Sequence, residues 1–65
     1  MDSIAEQRYY SLTHQIDFYF WLYHDTGILS PEQKRHLAEL RNTICVFGER
    51  AQKWVNVANE LLNNK

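Results

Sequence analysis

Between Leu37 and Leu61 the apolar residues recur at alternating steps of three and four: Leu37, Leu40, Ile44, Phe47, Ala51, Trp54, Ala58 and Leu61. That rhythm belongs to a helix packed along its length against other helices. A chain of 65 residues is one domain at most and lies near the lower limit at which burial offsets conformational entropy. Such a chain needs a staple. Cys45 is the only cysteine, so no disulfide can supply one, and no group of Cys and His has the spacing of a structural zinc site. Oligomerisation is the remaining common remedy.

Turn chemistry divides the sequence once. Ser3-Ile4-Ala5-Glu6 has the form of a capping box, the hydroxyl accepting from first-turn amides and the carboxylate reaching back. A helix starting there is expected to stop at Asp25-Thr26, because Gly27 can take the left-handed conformation that closes a helix, with Ile28 folding back onto Tyr23. Ser30-Pro31-Glu32-Gln33 restarts the chain as a second box, with proline at the first helical position, where its missing donor costs nothing. The expected division is a first helix over about 3–25, a turn over 26–30 and a second helix over about 31–63, in one domain spanning 1–65. The three-four rhythm passes through Gly48 in phase, so Gly48 reads as a close-approach point inside one long helix. The alternative is a break there and three short helices.

Length then decides what a straight second helix requires. At 1.5 Å per residue the first helix reaches about 33 Å and the second about 50 Å. Folded back at Gly27, the second helix overhangs with Trp54, Val55, Val57, Ala58, Leu61 and Leu62 uncovered, each large group forgoing roughly 1.5 to 3 kcal/mol. The first helix carries its own stripe of Ala5, Tyr9, Leu12, Ile16, Tyr19 and Tyr23, with Phe20 at its edge and Phe18, Trp21 and Leu22 off it. Two hairpins with turns at opposite ends would bury both surpluses. The expected fold is therefore an all-α helical hairpin that dimerises into an antiparallel four-helix bundle, its interface formed by Phe18, Leu22, Phe47, Ala51, Trp54, Val55, Ala58, Leu61 and Leu62.

Chemistry is sparsely marked. His14, His24 and His36 never stand four apart, so no helical pair grips a metal, and the scattered carboxylates lack the sheltered pocket that acid-base catalysis needs. Cys45 lies beside Val46 off the seam and reads as a half-buried structural thiol. No catalytic residue, metal or cofactor is expected. Net charge is −1 with acidic and basic residues alternating, unlike the basic face of a nucleic-acid binder. The apolar run over residues 18–23 is far short of the roughly 20 residues that a membrane span requires. A lone cysteine and no charged-then-apolar leader point to the cytoplasm.

The candidate contact surface is a strip of Tyr10, His14, Phe18 and Trp21 on the first helix, away from its core stripe, with Lys34 and Arg35 near the turn. Aromatic groups with polar handles dominate interface hot spots, and cations in the first turns of a helix oppose its dipole, which suggests a use for them. The expected function is a small cytosolic homodimer that binds a larger protein and inhibits, sequesters or adapts it, as small helical proteins of bacteria, plasmids and phages often do. Two other classes share the architecture: hairpin dimers that bind nucleic acid, for which a basic stripe is lacking, and chaperone or assembly subunits of secretion or virion complexes.

Overall fold

Ser3 opens the first helix in extended geometry (φ −70°, ψ 164°) and accepts a 3.1 Å hydrogen bond from the Glu6 amide. The computed structural model describes residues 3–63. The first helix, α1, runs Ile4–Thr26 and ends at Gly27, whose φ of 78° is left-handed and whose amide donates to the Tyr23 carbonyl at 2.7 Å. Only half of the expected box at Ser3 forms, because the Glu6 carboxylate is turned to Arg50 instead. Ile28 does not close the turn onto Tyr23; it is 69% exposed and Leu29 is the buried residue. Thr26 explains the difference, its Oγ1 lying 2.9 Å from the Leu22 carbonyl oxygen and 2.8 Å from that of Ile28, which holds this stretch against the end of α1.

Ser30 caps the second helix, α2 (Pro31–Ile44), through a complete box: the Gln33 amide donates to Ser30 Oγ at 3.1 Å and the Ser30 amide to Gln33 Oε1 at 2.8 Å. The helix then stops far short of residue 63. Residues Cys45–Ala51 wind as a tighter 3-10 helix interrupted at Gly48, which has φ 81° and ψ −148°, a region that is essentially open only to glycine. The expectation of one continuous second helix is thus overturned, and the three-helix alternative holds. Nor is Gly48 a close-approach point, since a Cβ built there meets nothing within 4 Å. Glycine is required for its backbone angles.

Beyond the break, α3 (Gln52–Asn63) returns beside α1. Near its start, Arg50 pairs with Glu6, while Val57 and Leu61 border a groove with Tyr23 and Gly27, so α3 runs in the same direction as α1. Tyr19 meets His36, and Arg41 donates to Asn59 Oδ1 at 2.9 Å, placing α2 antiparallel to both and against both. At 1.5 Å per residue α2 and α3 measure about 21 and 18 Å against about 34 Å for α1, so both fit within its length. The dimensions of 39 × 18 × 17 Å leave no overhanging tail among the described residues.

The core joins Tyr9, Leu12, Ile16 and Tyr19 of α1 to Leu29, to Leu37, Leu40 and Ile44 of α2, and to Ala51, Ala58 and Leu61. Ile16, Leu37 and Ile44 are fully buried, and each such side chain is worth roughly 1.5 to 3 kcal/mol. Every seam position is buried or packed on this core, but what covers the seam is the same chain. Ala5, expected in the α1 stripe, is exposed; Thr13 is buried instead, its hydroxyl donating to the Tyr10 carbonyl at 2.8 Å.

The bend is fastened to the first turns of α1. Arg50 Nη1 and Nη2 donate to Glu6 Oε1 and Oε2 at 2.6 and 3.1 Å, the guanidinium lies 4.1 Å from the Tyr9 ring centre, and the Tyr9 hydroxyl donates to the Arg50 carbonyl at 3.1 Å. The hydrogen bonds from Arg50 hold the Glu6 carboxyl below the usual glutamate range, and Glu6 in turn raises Arg50. Phe47 closes the end of the core, 5.3 Å from Tyr9 between ring centres.

Candidate interaction surface

Packing α2 and α3 against one side of α1 leaves its opposite side bare. Residues Tyr9, Leu12, Thr13, Ile16 and Tyr19 point inward, and the 100° step of an α-helix then sends Tyr10, His14, Phe18 and Trp21 outward. All four are exposed: Tyr10 by 48%, Phe18 by 62% and Trp21 by 58%, with His14 among them. The strip read from the sequence is one continuous surface. Its rings rest edge-on against neighbours on the same helix, Phe18 on Tyr19 at 5.6 Å and Trp21 on His24 at 5.8 Å.

Lys34 and Arg35 are not tied to it. Lys34 is half-buried and Arg35 exposed, and among the described residues neither makes an ion pair or side-chain hydrogen bond. The neighbouring His36 makes a polar contact with α1, its Nδ1 lying 2.6 Å from the Tyr19 hydroxyl.

Of the residues expected between two copies, Ala51, Ala58 and Leu61 are buried in the chain's own core and are closed to another copy. Leu22, Phe47, Trp54, Val55 and Leu62 pack partly against that core, which leaves Phe18, 62% exposed, as the one exposed member. Cys45 is exposed and not half-buried; its Sγ lies 3.0 Å from the Asn42 carbonyl oxygen.

Three features escaped the sequence reading. Val46, 78% exposed, projects from the bend, and Ile28 from the turn at the other end. An open groove of about 410 Å³ lies where the C-terminal parts of α1 and α3 meet, bordered by Phe20, Tyr23, Val57 and Leu61. Phe20 at the edge of the stripe and Gly27 were visible signals, but the groove exists only because α3 returns along α1. Among the described residues no three His, Cys, Asp or Glu side chains converge as a metal site, and no helix is long and apolar enough to cross a membrane. Compared with protein families, curated proteins and solved structures, the chain matches none.

Proposed function

We propose that this chain is a small cytosolic interaction module that binds a larger protein through the outward face of α1 and thereby regulates it. One observation carries the reading: Tyr10, Phe18 and Trp21 stand exposed on a single helix face although the core is closed without them. Exposed aromatics gathered in one patch are unusual on a protein with no partner. Tyrosine and tryptophan offer large, rigid contact area with a hydrogen-bonding tip, the chemistry of interface anchors. The same face would serve a second copy if it is self-complementary, with Phe18 at its centre, but closure of the core no longer calls for that copy.

Capture of binding proteins by the wild type, Trp21→Ala and Tyr10→Ala tests the reading, with helicity and mass followed in parallel. Each variant is expected to stay folded and to lose about 2 kcal/mol or more of partner affinity, as a hot-spot truncation does. A partner retained at wild-type affinity by both variants would overturn it.

A further inference from the structure

The groove between α1 and α3 has apolar walls and an acidic mouth. Phe20, Tyr23, Val57 and Leu61 line it, Gly27 contributes no side chain, and the exposed Glu60 and His24 complete its border. Because α1 and α3 run in the same direction, both C-terminal ends point to this end of the bundle, each carrying roughly half a negative charge from its aligned peptide dipoles. The last turn of α3 has no basic residue, and that of α1 has only His24. Glu60 is exposed, and the one ion pair among the described residues is that of Arg50 with Glu6 at the opposite end. The opening therefore favours a cation beside whatever apolar group enters.

The groove is also continuous with the aromatic strip. Trp21 sits on the strip, and its ring lies 5.5 Å from that of Phe20 and 5.8 Å from that of His24, both at the groove. We propose that the groove receives a large apolar side chain of a partner protein that is followed or preceded by a lysine or arginine. The apolar group fills the space between Phe20 and Val57 and the cation meets Glu60. This deepens the interaction-module reading and rests on it for the presence of a protein partner.

The test uses the full chain and three probes of one shape and different charge: phenethylammonium, phenethyl alcohol and hydrocinnamate, titrated while amide NMR signals are followed. The ammonium is expected to shift signals centred on Gly27, Val57 and Leu61 and to bind about threefold more tightly than the alcohol, the scale of one exposed charge pair, with hydrocinnamate weakest. Glu60→Gln, a surface change, should narrow the difference between ammonium and alcohol. Shifts centred elsewhere, no binding, or equal affinity for all three probes would overturn the proposal. The ordered response in the groove together with partner capture indifferent to both Trp21→Ala and Tyr10→Ala would support the groove while defeating the strip. Capture that depends on Trp21 beside a groove silent to all three probes would defeat the groove alone.

Discussion

Arg50 and Glu6, 44 positions apart, form a two-pronged ion pair with nitrogen-oxygen distances of 2.6 and 3.1 Å. It fixes the bend after α2 to the first turn of α1, so the direction in which α3 departs depends on it. Exposed pairs contribute modestly and are screened by salt, but this one is bidentate and is backed by the Tyr9 ring.

Glu6→Gln is accordingly expected to lower stability at neutral pH, with the gap to the wild type narrowing at high salt. The Glu6 carboxyl is held below its usual range by hydrogen bonds from Arg50, so the native state favours the charged form. The stability it confers is complete above the unfolded glutamate value of about 4.3 and is lost as pH falls through the lower native value. Thermal unfolding of both proteins between neutral and strongly acidic pH should show the gap closing only in the acid range. A constant gap across that range would mean that the pair does not act through charge.

The core and the strip should respond oppositely to truncation. Ile16 and Leu37 are fully buried, so alanine at either is expected to cost about 2 to 5 kcal/mol. Phe18→Ser, on the bare face, should stay within about 0.5 kcal/mol. Urea denaturation at two protein concentrations checks both, and midpoints independent of concentration are expected. A midpoint that rises with concentration would show that a second copy helps to cover the core.

Much of this was legible because the signals were local. Ser30 and Gln33 make a box from residues three apart, and Gly27 closes α1 by its own backbone angle, so neither depends on the rest of the chain. Burial of the seam was legible too, since Leu37, Ile44, Ala58 and Leu61 must be covered by something. What covers them was not. A three-four rhythm keeps its phase whether the helix continues through Gly48 or folds back, because each half presents the same stripe. The strip of Tyr10, His14, Phe18 and Trp21 followed from the phase of α1 alone, whereas the groove depended on where α3 lands. Ile28 and Leu29 were exchanged because the hydroxyl of Thr26 sets the path of the turn, an interaction that apolar patterning does not register.

Tyr19 joins the core to α2 by a polar contact, its hydroxyl 2.6 Å from His36 Nδ1 with the rings edge-on at 5.5 Å. Tyr19→Phe keeps the packing and removes the bond, and a loss of about 0.5 to 1.5 kcal/mol is expected. Chemical denaturation gives the value, and the His36 ring signals in NMR should move at the same time. Unchanged His36 signals would mean that the contact is not formed in solution.

The fold as a whole turns on Gly48. Its φ of 81° and ψ of −148° reverse the chain, bring α3 back along α1, and leave the outward face of α1 free. An added methyl group would meet nothing within 4 Å, so Gly48→Ala reports on the backbone alone. In a continuous helix the change would stabilise the protein by about 1 kcal/mol; at a reversal it should destabilise by about 1 to 3 kcal/mol. The decisive measurement is the unfolding free energy of Gly48→Ala against the wild type, with the mass of each in solution. A destabilised variant of a chain that is monomeric when folded is the result expected. A stabilised variant with dimer mass would contradict the three-helix fold and restore the straight second helix.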